Sequence, residues 1–503
     1  MKPVASYNLA YESIGRRAAF PEFADRPALT FVEADAVRSW TYREVWQEIE
    51  VRAAGFATLG FTPGERVVIR LPHSAEYAFA FFGANLAGLV PVPASPQLTD
   101  AEVRFLIEDS GATGVVARSQ DQAHLGVETV DPPVLSSVGV AGSLPSTSAE
   151  DPAYLIYTSG TTARPKGVLH AQRVLRGRAF MLGAAWEDLR PSDVVMHAGA
   201  LNWSYTMGVG LMDPWTVGAH AVLVASGTEP ANWPRLIETH GVSVFVAVPT
   251  VYRQMLKYGR PEDHDLSRLR FGLCAGESLL PDTASAWRSR AGTELFEALG
   301  MTECSTYVSS GPAVPVRPGS PGKPQAGRTI AVLSEFGDEP LPAGEVGLLA
   351  VHRSDPGLML GYWQRPEEER AVFRGDWFVG GDRASLDEDG YVWFQGRADD
   401  VIKSFGYRLS PVEIEAALAS VPGVADVAVI GVPIDADRTL VTACVVLEAG
   451  SEVSESAMSL HAARHLAEYK RPHQYRFMVS LPRTANGKLR RAELVGLVSH
   501  GLP

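Results

Sequence analysis

Residues 153–167 read AYLIYTSGTTARPKG. The first four side chains predict a short buried strand, and the remainder predicts a loop rich in hydroxyl groups and glycine. Glycine lets backbone N–H groups approach an anion, hydroxyl groups donate hydrogen bonds, and a lysine adds positive charge. The spacing differs from that of the P-loop motif, G-x-x-x-x-G-K-[ST], because Lys166 precedes its glycine and no Ser or Thr follows it. The stretch therefore predicts a phosphate-binding loop of another kind.

Strand and helix patterns alternate through much of the chain. The order strand, helix, strand occurs at 66–71, 76–86 and 88–93 and again at 221–224, 233–239 and 242–248. This order predicts parallel βαβ units in sheets that are covered on both faces. From residue 347 to about 394 the pattern changes to strands and turns, which indicates a β-rich subdomain.

The best candidate for a domain boundary is the segment 396–400. It is followed by a helix, two strands and a second helix, at 411–420, 425–431, 442–447 and 457–469. A module of about a hundred residues can fold alone. We therefore predict an α/β protein whose large N-terminal domain, residues 1–398, contains parallel-type βαβ subdomains and the β-rich subdomain. Residues 399–503 are predicted to form a small α+β C-terminal domain.

Composition and charge exclude several classes of protein. The net charge of −13 argues against a nucleic-acid or anionic membrane surface. No apolar run is long enough to predict a membrane span, and the N-terminus lacks a secretory signal. Three scattered cysteines, Cys274, Cys304 and Cys444, predict neither a disulfide framework nor a zinc cage, and they favour a reducing compartment. We predict a cytoplasmic protein that binds no nucleic acid.

Further motifs follow the loop in a recognisable order. They are LGMTE at 299–303, GDR at 381–383, GRADD at 396–400 and TANGK at 484–488. From Thr158 to Lys488 the chain resembles the adenylate-forming superfamily of acyl- and aryl-CoA synthetases, peptide-synthetase adenylation domains and firefly luciferase. The segments at 203–215, 276–281 and 374–377 look closest to medium-chain acyl-CoA synthetases, and benzoate-type CoA ligases are next.

The resemblance implies an ATP-dependent enzyme that makes an acyl-adenylate and passes the acyl group to coenzyme A, with Mg²⁺ as cofactor. The implied ATP-binding residues are Thr158, Ser159, Gly160, Thr161, Thr162, Lys166, Gly276, Glu277, Thr302, Asp382, Arg397 and Lys488. Those with implied catalytic roles are Lys488, Glu303, Thr158 and Arg408, and Thr158 and Glu303 are implied to hold Mg²⁺. Two positions depart from the family: Leu299 replaces an aromatic near adenine, and Gly380 stands where threonine is usual.

The resemblance also implies that the C-terminal domain is mobile. Asp399 matches the hinge about which that domain rotates, and Gly406 and Tyr407 match the surface presented to coenzyme A. Lys488 would neutralise charge between the substrate carboxylate and the α-phosphate, and Arg408 would contact phosphate. The chain ends soon after Lys488, which leaves no room for a fused carrier domain and favours coenzyme A as acceptor.

The acyl pocket is expected at Asn202, Trp203, Val248, Gly300 and Met301. Acetate specialists of the family carry tryptophan where this chain has Gly300, so we expect an acid larger than acetate. Amino-acid activators of the family place an aspartate near position 202 for the ammonium group of the substrate. Asn202 cannot supply that charge, which disfavours an α-amino acid as substrate. Medium-chain, small branched, hydroxylated and aryl acids remain open. Two other functions also remain open: a stand-alone enzyme that loads an acyl carrier protein, and a paralogue that binds ATP without turnover. A homodimer is open as well.

Overall fold

The computed structural model describes residues 6–33, 35–118, 125–137, 145–158, 165–398, 400, 402–404, 407–434, 439–483 and 489–499, and of residues 403, 407 and 408 the backbone alone. The chain forms two compact units. One comprises residues 1–329 and 351–378, and the other comprises residues 330–350 and 379–503.

The described residues form helices and strands that are numbered in chain order. The α-helices are α1 (Arg16–Ala19), α2 (Pro21–Ala24), α3 (Tyr42–Thr58), α4 (Ala75–Leu86), α5 (Asp100–Ser110), α6 (Pro132–Ser137), α7 (Val174–Arg178), α8 (Ser204–Met207), α9 (Asp213–Val217), α10 (Trp233–His240), α11 (Pro249–Gln254), α12 (Pro281–Ala291), α13 (Pro366–Val372), α14 (Pro411–Ala419), α15 (Glu455–His465) and α16 (Arg491–Ser499). The strands are β1 (Pro27–Val32), β2 (Val37–Thr41), β3 (Arg66–Arg70), β4 (Val90–Ala94), β5 (Gly114–Ala117), β6 (Glu128–Val130), β7 (Pro152–Thr158), β8 (Lys166–Ala171), β9 (Val194–His197), β10 (His220–Val224), β11 (Val244–Ala247), β12 (Phe271–Ala275), β13 (Glu294–Met301), β14 (Ser305–Ser309), β15 (Lys323–Pro324), β16 (Ile330–Leu333), β17 (Gly347–His352), β18 (Gly361–Tyr362), β19 (Phe373–Arg374), β20 (Trp377–Leu386), β21 (Val392–Arg397), β22 (Ile402–Ser404), β23 (Tyr407–Leu409), β24 (Val424–Pro433), β25 (Thr439–Leu447) and β26 (Gln474–Met478).

The largest sheet of the first unit has nine strands in the order β15-β14-β13-β12-β11-β9-β10-β1-β2. The strands from β13 to β1 in that order run parallel, and β2, β14 and β15 join antiparallel. Strands β11 and β12 are buried along their whole length. Their side chains are apolar without alternation because both faces of a parallel sheet are covered. The predicted parallel βαβ architecture is confirmed.

A second parallel sheet, of order β4-β3-β5-β6, contains the first βαβ unit that the sequence predicts. β3 and β4 pair in parallel from Arg66 and Val90 onward, and α4 connects them. Ser74 caps α4 by accepting a hydrogen bond from the Tyr77 N–H. Every residue of α4 except Glu76 is buried, so this apolar helix belongs to the core. No helix among the described residues is long and apolar enough to cross a membrane.

The second unit begins with a sheet of order β16-β17-β20, to which β21 adds beside β20. Farther along the chain, β24 and β25 pair antiparallel and β25 and β26 pair parallel. One face of these three strands packs on α14 and α15, and the other packs on α16. This confirms the predicted α+β composition. The helix predicted at 457–469 is observed at Glu455–His465.

The residues from Ile402 to Val498 therefore have hydrophobic clusters of their own. The compact second unit starts earlier, at Ile330, and so contains more than the predicted C-terminal domain. The boundary predicted between residues 398 and 399 stays a prediction.

Strand β13 of the first unit carries Glu297, an ionisable residue that is partly buried. Removal from water raises the pKa of Glu297 to about 7, although its Oε1 atom accepts a hydrogen bond from the Leu279 N–H at 3.0 Å. In the unfolded chain this group loses its proton near its ordinary pKa of 4.5. Between these two pH values the folded protein keeps a proton on Glu297 that the unfolded chain has lost. The contribution of Glu297 to stability therefore falls as pH rises through this range.

Glu297→Gln keeps the hydrogen-bond acceptor and removes the charge. Relative to the wild type, we expect its free energy of unfolding to rise by about 1–3 kcal/mol between pH 4.5 and pH 8. Urea denaturation at several pH values measures this difference. Glu294→Gln is the control, because Glu294 lies on the same strand in an exposed ion pair with Arg288. A pH-independent difference for Glu297→Gln would contradict the assignment.

Candidate active site

The phosphate-binding loop predicted at 157–167 is the connection of a hairpin. β7 and β8 pair antiparallel, with Thr158 opposite Lys166. The structure thus places these two predicted ATP-binding residues together at the base of the connection. Four other predicted ATP-binding residues lie outside the described residues: Ser159, Gly160, Thr161 and Thr162.

Lys166 is held at this base by two side chains that the sequence analysis does not identify. Its Nζ atom lies 2.8 Å from Glu368 Oε2 and 5.0 Å from the centre of the Tyr362 ring. Tyr362 belongs to β18, which pairs with β8. Its hydroxyl group donates a hydrogen bond to Glu303 Oε1 at 2.6 Å. Tyr362 therefore connects Lys166 and Glu303, two residues that the sequence predicts to act on one nucleotide.

The turn between β13 and β14 carries Thr302 and Glu303. The Met359 N–H donates to the Glu303 carbonyl at 2.7 Å, and His170 Nε2 lies 2.9 Å from the Thr302 carbonyl oxygen. Burial lowers the pKa of His170 to about 4, so its imidazole is neutral at pH 7. The carbonyl groups of Thr302 and Glu303 are thus both held by hydrogen bonds to buried residues of the first unit.

Gly300, predicted to line the acyl pocket, lies against β14. A Cβ atom at this position would lie 2.7 Å from the Ser305 carbonyl oxygen and 2.7 Å from Thr306 Cα. Both are backbone atoms, so any side chain at position 300 would require the turn to move. The pocket role of Gly300 and of the half-buried Met301 stays a prediction.

Gly276, Trp203 and Val248 are neighbours in the structure. Gly276 has φ +91°, and a Cβ atom there would lie 3.2 Å from two Trp203 ring atoms and 3.8 Å from Val248 Cγ1. Gly276, a predicted ATP-binding residue, thus lies beside two residues that are predicted to line the acyl pocket. The neighbouring Glu277 points to α11, where its Oε2 atom accepts a hydrogen bond from Thr250 Oγ1 at 2.6 Å.

These residues share one edge of the nine-stranded sheet. Val248 follows β11, Gly276 follows β12 and Thr302 follows β13, while Asn202 and Trp203 lie in the segment after β9. These four strands are consecutive in the sheet and parallel. Ligands of open α/β sheets bind at the carboxyl ends of the strands. The arrangement suits a substrate that lies across several strand ends.

In the second unit, Asp382 and Arg397 lie opposite each other on β20 and β21. Arg397 Nη1 donates to Asp382 Oδ1 at 3.2 Å and to the Gly380 carbonyl at 2.6 Å. Asp382 is buried, and a Cβ atom at Gly381 would lie 3.0 Å from Arg397 Nη2. The structure therefore brings together two of the predicted ATP-binding residues.

Five predicted residues near the C-terminus are beyond what the structure describes. Asp399, Gly406 and Lys488 lie outside the described residues, and so do the side chains of Tyr407 and Arg408, whose backbone belongs to β23.

Magnesium fits the donor set only together with a substrate. Within the described ranges, no group of three or more His, Cys, Asp or Glu side chains could hold a metal ion. Mg²⁺ commonly takes one or two carboxylates and completes its shell with water and substrate phosphates. Glu303, whose carboxylate Tyr362 fixes beside the base of the phosphate-binding loop, suits this mode. Thr158 lies at the same base.

The chain matches the AMP-binding enzyme family at residues 16–363 and the AMP-binding enzyme C-terminal domain at residues 413–488. The benzoate–CoA ligase of Thauera aromatica is 32% identical over 514 residues, which cover 97% of this chain and 95% of that protein. YtcI of Bacillus subtilis, an uncharacterized acyl–CoA ligase, is 31% identical over 505 residues, with coverages of 96% and 95%.

The solved structures give the same result. The crystal structure of the anthranilate CoA ligase AuaEII in complex with anthranoyl-AMP matches with a TM-score of 0.89 and 29% identity. The match covers 99% of this chain and 98% of that one. Sequence and structure comparisons thus confirm the predicted superfamily and fold class.

Gly276→Ala tests how closely Trp203 packs on this turn. Alanine at φ +91° carries backbone strain, and its Cβ atom would also press on the indole ring. We expect the free energy of unfolding to fall by about 2–3 kcal/mol in urea denaturation.

Gly292→Ala is the matched control, because Gly292 has φ +73° and no atom within 4 Å of its Cβ position. It should lose only about 1–2 kcal/mol. Adding Trp203→Ala should remove the excess loss of Gly276→Ala. Equal losses in the two glycine variants would mean that the indole ring moves aside at no cost.

Proposed function

The chain belongs to the AMP-binding enzyme family, and we propose that it is an AMP-forming acyl-CoA synthetase for a carboxylic acid larger than acetate. It is an acid–thiol ligase, and ATP and coenzyme A are substrates of such enzymes. The observation that carries the proposal is the group at the base of the β7–β8 connection. There Tyr362 connects Lys166, a cation for phosphate, with Glu303, a carboxylate for the metal.

The reaction is the activation of a carboxylate. A carboxylate is a poor acyl donor, because its leaving group would be oxide. When its oxygen attacks the α-phosphorus of ATP, pyrophosphate leaves and a mixed acyl–AMP anhydride forms. Positioning and charge neutralisation supply most of the rate in such phosphoryl chemistry. Lys166 and the loop hold phosphate, and Lys488 neutralises charge between the acid and the α-phosphate.

Mg²⁺ supplies further charge neutralisation on the phosphates when it is bound. We assign Glu303 and Thr158 to hold it. Tyr362 orients the Glu303 carboxylate through its hydroxyl group, so the carboxylate is in place before the nucleotide arrives.

In the second half-reaction the thiol of coenzyme A loses its proton, its sulfur attacks the acyl carbon, AMP leaves and a thioester forms. We propose that residues 399–503 move as a domain about Asp399, which withdraws Lys488 and presents Gly406, Tyr407 and Arg408. The separate hydrophobic clusters between Ile402 and Val498 support a module that can move as one body. Rotation of such a domain is a common way to exchange one set of catalytic groups for another.

The acyl group is proposed to lie near Asn202, Trp203, Val248, Gly300 and Met301. Relatives named for benzoate and for anthranilate support an aryl acid, or another acid larger than acetate. Trp203 and Val248 contribute apolar surface on one side of Gly276, which suits an apolar acyl body next to the adenylate.

Pyrophosphate–ATP exchange with a panel of acids tests the activity. The panel contains acetate, butanoate, octanoate, benzoate and anthranilate, and we expect acetate to be the poorest. Addition of coenzyme A should then yield a thioester that mass spectrometry detects. Exchange without a thioester would favour a carrier-protein acceptor, and no exchange with any acid would favour a paralogue without turnover.

Lys488→Ala should lower the rate of exchange by about 10²–10³-fold, because it removes a charge that acts in the transition state. The control is Lys470→Ala, another C-terminal lysine, which is ion-paired with Glu413 and should keep the wild-type rate. Full exchange by Lys488→Ala with the best acid would refute the proposed role.

Tyr362→Phe should raise the Mg²⁺ concentration for half-maximal exchange about tenfold, because a carboxylate that loses its orienting partner binds metal less well. The ring remains under Lys166, so the KM for ATP should change little. Tyr42→Phe removes a tyrosine hydrogen bond elsewhere in the first unit, to the Ala219 carbonyl at 2.6 Å, and should leave the Mg²⁺ requirement unchanged. The same Mg²⁺ requirement in both variants would contradict the role of Tyr362.

A further inference from the structure

His170 is buried next to the turn that carries Thr302 and Glu303. It lies on β8, in the same strand as Lys166, and pairs with Tyr154 of β7. The imidazole stacks on the Tyr154 ring with centroids 4.7 Å apart and planes 26° apart. Only 2% of the residue is exposed. Strand pairing and stacking thus determine the position of this ring before any ligand binds.

The partner of His170 determines its tautomer. Nε2 lies 2.9 Å from the Thr302 carbonyl oxygen, and a carbonyl oxygen can only accept. Nε2 therefore carries the hydrogen and donates it. Nδ1 is buried and has no hydrogen-bond partner within the described part of the chain. His170 is one of the residues that line a small pocket together with Ser204, Met207 and Ser305. The hydrogen bond to Thr302 is thus the polar interaction that this ring makes.

The backbone is strained where the turn enters β14, which makes support on both sides of the turn important. Ser305 has φ +72°, a conformation that residues other than glycine rarely adopt. Its hydroxyl group accepts a hydrogen bond from Arg178 Nη1 at 2.8 Å. Arg178 is buried in an ion pair with Asp213. One end of the turn is therefore fixed through Ser305, and the other end is fixed through Thr302.

We propose that His170 is a positioning residue for adenylate formation, whose Nε2–H orients the Thr302–Glu303 peptide so that both side chains face the nucleotide. This inference rests on the proposed function, which assigns Glu303 to the metal, and on the prediction that Thr302 binds ATP. His170 itself contacts neither substrate nor metal and acts through the Thr302 carbonyl.

Two variants distinguish the contribution of the His170 hydrogen bond from that of the stacked ring. His170→Phe keeps an aromatic ring against Tyr154 and loses the donor. His170→Gln loses the ring but keeps an N–H at about the position of Nε2. Loss of one buried hydrogen bond that leaves its acceptor unpaired corresponds to about 5- to 100-fold in an equilibrium or rate constant.

We expect kcat of pyrophosphate–ATP exchange to fall by about 5- to 100-fold in His170→Phe and to recover to within about threefold of the wild type in His170→Gln. Thermal unfolding separates this role from packing: His170→Phe loses the hydrogen bond and His170→Gln loses the stacked ring, so both should unfold at a lower temperature than the wild type while only His170→Phe loses activity. An equal loss of kcat in both variants would mean that His170 contributes only packing. Full activity in His170→Phe would refute the proposed role.

A binding measurement keeps this test independent of turnover. The Kd of Mg²⁺–ATP, measured by calorimetry on the wild type and both variants, should weaken in His170→Phe and not in His170→Gln. If the wild type exchanges pyrophosphate with no acid, the proposed function fails, while the three Kd values still decide whether His170 positions the turn. Equal affinity in all three proteins would overturn the inference.

Discussion

Parallel strands that are neighbours in a sheet end at the same edge, and the candidate active site of the first unit depends on this constraint. β11, β12 and β13 pair in register, so the residues that follow them meet without any long-range loop. Val248, Gly276 and Thr302 occupy these three positions. The sheet also accounts for the burial beneath the site, because its inner strands are apolar on both faces.

A second constraint comes from the β7–β8 hairpin and the short strand β18 that pairs with it. The pairing places Tyr362 where its ring meets Lys166 and its hydroxyl group meets Glu303. His170, on the same hairpin, bonds to Thr302. One small antiparallel sheet thus supports both the cation predicted to bind phosphate and the turn that carries the predicted metal ligand. A change in this hairpin would alter both functions together.

Regular patterns in the sequence predicted the parts of the fold that repeat along the chain. The βαβ rhythm predicted β3, α4 and β4 to within two residues, because burial on both faces requires uninterrupted apolar runs. Family motifs predicted Thr302, Glu303, Asp382 and Arg397. Contacts between distant segments could not be predicted in this way. Tyr362 belongs to a strand of two residues, too short for any periodicity, and 59 residues separate it from Glu303.

In the proposed reaction, the ion pair between Lys166 and Glu368 has a consequence for turnover. A phosphate group that reaches this lysine exchanges one anion for another, so the free energy gained is only the difference between the two contacts. Pyrophosphate leaving the site meets the reverse exchange, since the carboxylate takes back the ammonium group as the product departs. An internal competitor of this kind weakens the binding of substrate and product alike and favours release of the product after each cycle.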